Sequence, residues 1–174
     1  MTRRFITTLT TATLIGGTAM ADMIPANTAQ GISRTITDIA AGADRHDWTR
    51  VRAAFADTVT TDYTGLWGGD PVTQPADELV SGWSVFLPGF EITHHMVTNH
   101  SITELTDNTA KAEADFTATH RIEDGFWVLG GRYSYDLVKD GADWKVTSMN
   151  MTPLWETGDR ALVAQAGERA AVAN

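Results

Sequence analysis

The sequence predicts a single α+β domain in which N-terminal helices pack on a strongly curved, mostly antiparallel sheet, forming a cone-shaped barrel with an internal cavity. Three observations carry this. Apolar residues recur at helical spacing up to about residue 90, and the period then changes to two from Ile92 to Trp155. Turn formers at Asp107-Asn108, Glu123-Asp124-Gly125 and Lys139-Asp140-Gly141 cut the period-two stretch into four long strands. Gly130-Gly131 inside the third long strand, and a switch of apolar parity from Trp144 and Val146 to Met149 and Met151 in the fourth, mark bulges that let long strands curl over helices.

The chain opens with basic Arg3-Arg4, a weakly apolar stretch from Phe5 to Gly17 and the small-residue end Ala19-Met20-Ala21, which is the layout of a cleavable secretory signal over residues 1–21. The stretch is too short and too rich in threonine for a membrane span, which needs about 20 apolar residues. A Sec-type signal is favoured, although Arg3-Arg4-Phe5-Ile6 partly fits twin-arginine export. The expected address is therefore periplasmic or secreted. Residues 22–31 read as a loose leader, 32–157 as the domain, and 158–174 as an Ala-rich tail, helical or frayed.

Within the domain, Ile32, Ile36, Ile39 and Ala40 predict a first helix that Gly42 interrupts. Asp47 is suited to cap a second helix carrying Trp48, Val51, Arg52 and Phe55, which leaves Asp44 at the junction between the two. A β-rich run from Thr58 to Tyr63 and a turn-rich loop from Gly65 to Pro71 come next. Pro75 then opens a third helix, with Leu79, Trp83 and Phe86, that Pro88-Gly89 stops. The clearest alternation lies between Ala110 and Ile122: even positions are apolar apart from His120, and odd positions are charged or threonine.

Composition narrows the function classes. The chain has no cysteine, so thiol nucleophiles, thiolate metal sites and disulfides are excluded. Its net charge is -9, becoming -11 once Arg3 and Arg4 leave with the signal, and no basic stripe interrupts that acidity. Such a surface repels nucleic-acid phosphates and anionic membranes alike. The partner expected is a small hydrophobic molecule, with no nucleic acid and no membrane after signal cleavage. The outer face of the sheet is expected to serve a homodimer or homotrimer.

Histidine is the side chain whose charge changes near neutral pH, which suits it to abstracting protons from carbon. His120 has inward parity, shared with Phe116 and Ile122, and reads either as a catalytic group or as a satisfied core histidine. His94 and His95 are strand neighbours and must face opposite sides. His94 and His100 share a parity but stand roughly 20 Å apart along an extended strand, too far for one ion. No metal is expected, although His95, His120 and Asp44 together are a set that could hold one. The glycine pairs Gly68-Gly69 and Gly130-Gly131 lack the strand-to-helix context of phosphate loops.

The segments Gly42-Ala43-Asp44-Arg45-His46-Asp47-Trp48, Thr61-Asp62-Tyr63, Thr93-His94-His95-Met96-Val97-Thr98-Asn99, Gly130-Gly131-Arg132-Tyr133 and Asp143-Trp144-Lys145-Val146 resemble, in order, the SnoaL-like part of the nuclear-transport-factor-2-like superfamily. Scytalone dehydratase, hexachlorocyclohexane dehydrochlorinase and bile acid 7-alpha dehydratase are members that these motifs resemble. The resemblance implies that His95 is a base oriented by Asp44, with Tyr63 and His120 as polarising or proton-donating groups. It further implies a substrate pocket including Trp67, Phe116, Arg132, Tyr133 and Met149. A polar serine and asparagine of scytalone dehydratase are replaced by Gly131 and Tyr133, and Arg132 and Lys139 are the candidates for an arginine used elsewhere in the family. The function implied is a cofactor-independent lyase of dehydratase type, or an isomerase, acting on a small hydrophobic, cyclic molecule. The alternative is a non-catalytic small-ligand binding protein of the same fold.

Overall fold

The computed structural model describes residues 24–173, so the expected signal of residues 1–21 lies outside the described residues. Helix α1 runs from Ala26 to Asp44 and α2 from Trp48 to Ala54. Strand β1 (Phe55–Asp62), a single helical turn α3 (Thr64–Trp67), strand β2 (Val72–Pro75) and helix α4 (Ala76–Phe86) come next. After a 3-10 turn at Leu87–Gly89 come the long strands β3 (Ile92–Leu105), β4 (Thr109–Ile122), β5 (Gly125–Asp140) and β6 (Asp143–Gly158), then helix α5 (Leu162–Ala173). Among the described residues no helix is long and apolar enough to cross a membrane.

The strands form one mixed, curved, unclosed sheet in the order β2-β1-β6-β5-β4-β3, laid over the helices as a cone. Every neighbouring pair is antiparallel except β1 with β6, which run parallel. Both expected bends are present, as register shifts between Gly130 and Gly131 and between Asp136 and Leu137. The two glycines serve different neighbours. A Cβ on Gly130 would meet the Trp155 indole at 2.4 Å, and one on Gly131 would meet the Thr152 carbonyl oxygen at 2.2 Å.

Several boundaries differ from the sequence reading. Helix α1 begins at Ala26, inside the stretch read as a leader, because the Pro25 carbonyl accepts the N–H groups of Thr28 and Ala29, both at 3.0 Å. The early turns then pack on β6, with Gly31 against the Trp144 ring and the Thr35 hydroxyl donating to the Trp144 carbonyl at 3.0 Å. Gly42 does not stop the helix. Its missing side chain makes room for α2, since a Cβ there would lie 2.7 Å from Val51 Cγ2. Asp47 caps α2 as expected, accepting from the Arg50 N–H at 3.1 Å. Phe55 opens β1 instead of ending α2, and it pairs with Val146 of β6 while only 2% exposed. Strand β2 was hidden in a turn-rich, exposed segment.

The inner face of β4 is buried from Ala110 through Ile122 at every second residue, as the alternation predicts. Most of these side chains are alanines, and among them Ala118 borders the space between sheet and helices. The tail docks as α5, with Leu162, Ala166 and Ala170 buried.

The seat of α5 on the 3-10 turn is a backbone contact: a Cβ on Gly89 would come within 2.0 Å of the Ala166 carbonyl oxygen. Gly89→Ala is expected to lower unfolding free energy by about 1–3 kcal/mol through overpacking. Gly167→Ala, on the open side of α5 where an added Cβ meets nothing within 4 Å, is expected to stabilise by about 0.5–1 kcal/mol through helix propensity. Urea titrations of both variants check the pair of effects.

Candidate active site

The site begins with an unpaired edge. Strand β3 ends the sheet, so its backbone N–H groups on the side away from β4 have no ladder partner and must find another acceptor if covered. The last residue of α1 supplies one. Asp44 Oδ2 accepts the His95 backbone N–H at 2.7 Å, and Asp44 Oδ1 accepts the Thr93 hydroxyl at 3.0 Å. The same Oδ1 lies 2.6 Å from His95 Nδ1. Thr93 and His95, two residues apart, share the inward face of β3, while His94 between them is exposed.

This geometry acts on both partners. Burial alone would raise the Asp44 pKa. Hydrogen bonding with His95 and attraction to it, together with the His95 N–H and the Thr93 hydroxyl, outweigh burial and hold the carboxyl below the usual carboxylate range. A carboxylate facing Nδ1 makes that nitrogen the donor, so that whenever the ring is neutral the lone pair is on Nε2. The side chains are 16% exposed for His95 and 10% for Asp44, so the pair is shielded without being sealed.

His95 borders a cavity of about 270 Å³ between the sheet and the helices. His120 enters it from β4, with ring centroids 4.8 Å from stacked Trp127, 4.9 Å from Phe90 and 5.4 Å from His95, which it meets edge-on. Burial, reinforced by repulsion from His95, lowers its pKa to about 4, against weaker support for the charged form from the Trp127 backbone and Asp44. At neutral pH this imidazole is uncharged. Its Nδ1 is buried with no hydrogen-bond partner among the described residues.

Tyr63 reaches the cavity from the end of β1, where Asp62 shapes the turn by accepting from the Thr64 N–H at 2.9 Å, the Thr64 hydroxyl at 2.7 Å and Asn150 Nδ2 at 2.7 Å. Of the expected pocket residues, Trp67, Phe116, Tyr133 and Met149 line the cavity. Arg132 does not. It stands beside Tyr133 on β5 and so faces the other side of the sheet, 53% exposed and paired with Asp115 at 3.4 Å. Lys139 is likewise exposed. The sequence reading missed Tyr135, Trp83, Phe86 and Trp127 in the lining, and also Val163 of α5. Parity with Tyr133 was the signal available for Tyr135.

A second correction concerns His100. Asn99 adopts a left-handed φ of 55° and the β3 register shifts between Thr98 and Ser101, so His100 loses the parity it would share with His94. Its Nδ1 hydrogen-bonds the Ser33 hydroxyl of α1 instead. Among the described residues no group of three or more His, Asp or Glu side chains is arranged to hold a metal ion.

Comparison with known proteins bears on the fold. A candidate aromatic ring hydroxylase from Novosphingobium aromaticivorans is similar at 19% identity and a TM-score of 0.71, over 81% of this chain and 99% of that one. A candidate scytalone dehydratase from the same organism is similar at 21% identity and a TM-score of 0.64, over 75% and 87% of the two chains. A type 3 hexachlorocyclohexane dehydrochlorinase from Novosphingobium barchaimii is similar at 16% identity and a TM-score of 0.61, over 75% and 89%. At these identities the likeness is one of fold. No curated protein matches the chain. The SnoaL-like domain family matches residues 26–150, most of the described chain, and the protein belongs to that family.

Proposed function

We propose that this protein is a cofactor-independent lyase of dehydratase type, or an isomerase, that abstracts a proton from a small hydrophobic, cyclic substrate. The observation that carries the reading is the 2.6 Å contact between Asp44 and His95 at the wall of a largely apolar cavity. His95 Nε2 takes a proton from a carbon beside a carbonyl, or beside a carbon bearing a leaving group. The C–H electron pair becomes a carbon–carbon double bond, and the imidazolium is stabilised by the Asp44 carboxylate. In an elimination the departing group leaves with its bonding pair, hydrogen-bonded by neutral His120 or Tyr63, and takes its proton from the His95 imidazolium, and in an isomerisation that proton returns to another carbon of the same substrate. Fold neighbours named for a dehydratase and a dehydrochlorinase support this class.

Export by a Sec-type route to the periplasm or beyond, and assembly through the sheet, belong to the same proposal. The N-terminal sequence supports the first, and exposed Ile92, Met96, Phe126 and Trp155 support the second. The alternative, a carrier of the same fold, is favoured by the dominance of apolar side chains in the lining.

Deuterium incorporation from solvent into small cyclic ketones, monitored by NMR, is the direct test. His95→Ala is expected to abolish exchange while ligand binding persists. Exchange unaffected by that substitution would remove His95 from the chemistry, and binding without exchange in the unsubstituted protein would establish the carrier. Asp44→Asn is expected to lower turnover by about 10²–10⁴-fold, because an amide can donate to Nδ1 and so place the lone pair on the wrong nitrogen.

Acid should weaken the fold in a defined window. The unfolded chain protonates His120 near pH 6.5 and the folded one only near 4, so the stability from a neutral His120 is complete above the former and declines as pH falls toward the latter. The loss is on the order of 3 kcal/mol. The same slope should flatten in His120→Phe when urea unfolding is compared at pH 7.5 and 4.5. Asp44, held low, contributes stability above about pH 3.9 that is lost on further acidification through its folded pKa.

A further inference from the structure

The lining of the cavity is most exposed at Trp67. That side chain is 53% exposed, and among the described residues it is the only member of the lining that is not buried or half-buried. It closes α3, and the turn is held unequally at its two ends. At the start, Asp62 accepts the Thr64 N–H and hydroxyl, and the Gly65 backbone rests against Pro153, where an added Cβ would come within 2.9 Å of Cδ. Beyond Trp67 the chain is exposed from residue 68 to 73. Gly68 and Gly69 take left-handed φ values of 73° and 78°, with open space where a Cβ would lie, so the backbone is free to rotate there.

What holds the loose end comes from the connection between β6 and α5. Arg160 places its guanidinium 5.1 Å from the centroid of the Trp67 ring and donates from Nη2 to the Leu66 carbonyl at 3.0 Å. Leu66 belongs to the last turn of α3, whose carbonyls lack helical partners, so this bond satisfies an acceptor that the turn itself cannot. Glu156 Oε2 aligns the guanidinium from 3.3 Å, and the same oxygen accepts the Trp127 indole N–H at 3.1 Å. Trp127 in turn lies 6.0 Å from Trp67 and stacks on His120 at 4.8 Å. Contacts of this kind, about half exposed, are strong enough to hold a single turn in place and weak enough to break and re-form.

We propose that Trp67 is the door of the cavity and Arg160 its latch: α3 swings on Gly68-Gly69 to let a small hydrophobic molecule pass, and the guanidinium draws it shut. Glu156 couples the latch to the interior, because the oxygen that aligns Arg160 also holds the indole on which His120 stacks. Closure shields the chamber from water and orders the ring beside His120 together. Both residues act on passage, so the inference goes beyond the proton-abstraction reading and applies equally to a carrier.

The test is stopped-flow binding of 1-aminoanthracene, an uncharged fluorophore that brightens on leaving water. Arg160→Met keeps the aliphatic stem and removes the charge. It should raise the association and dissociation rate constants together, each by on the order of ten-fold, with Kd little changed because the latch does not touch the ligand. Arg160→Lys, which keeps the charge without the planar fork, should fall between the two. Salt at about 1 M should speed both rates in the unsubstituted protein more than in Arg160→Met. Trp67→Ala removes the door, so its rates should be fast and a further Arg160→Met should add nothing. Without any ligand, hydrogen exchange of the Trp127 indole N–H, followed by NMR, should quicken in Arg160→Met by a similar factor. That measurement decides by itself if the fluorophore does not bind, and thermal unfolding checks that each variant is folded. Indole exchange unchanged in Arg160→Met would overturn the latch. A change in Kd carried by dissociation alone would make these residues fixed wall, and an undiminished effect of Arg160→Met in the Trp67→Ala background would remove Trp67 as the door.

Discussion

A carboxylate at the end of the first helix satisfies the free edge of the last strand in the sheet, and the rest of the site depends on that junction. Asp44 accepts from the His95 backbone and from Thr93 before its role toward the imidazole is considered. The helix terminus and the strand edge are thereby joined by hydrogen bonds, and the same carboxylate faces Nδ1 of the ring. The carboxylate that faces His95 is therefore a structural member of the fold, and its ionisation is favoured by local donors and by His95 together.

The cavity arises from side-chain size. Ala40 and Ala43 of α1 and Ala118 of β4 line it, where leucines or valines would close the gap between the layers. Into that space β4 projects Phe116 and His120, and β5 projects Trp127, Tyr133 and Tyr135. The register sets His120 beside Trp127 and Phe116 beside Gly131, so the missing side chain at Gly131 leaves the Phe116 ring free to stack on Tyr133.

Much of this was legible in the sequence, and the unread parts have physical causes. Alternation along β4 located the face of His120, because a half-buried strand admits one periodicity. The glycine pair and the parity switch located both bends. The junction position of Asp44 was readable, but its contact with His95 was suggested by family resemblance alone, since nothing local links residues so far apart. The face of His100 was not readable: a single left-handed residue, Asn99, changes the parity of the strand residues beyond it. Arg132 could have been rejected by the rule that places Tyr133 inside. The parallel pairing of β1 with β6 left no trace in either strand, because alternation reports which face is buried and not the direction of the neighbour.

Helix α5 supplies Val163 to the chamber wall and lies wholly beyond residue 150, where the family match ends. Asp44, Tyr63, His95 and His120 come from within the matched segment, and one panel of the enclosure comes from outside it. The shape of the chamber is therefore set partly by a segment that the family match does not include.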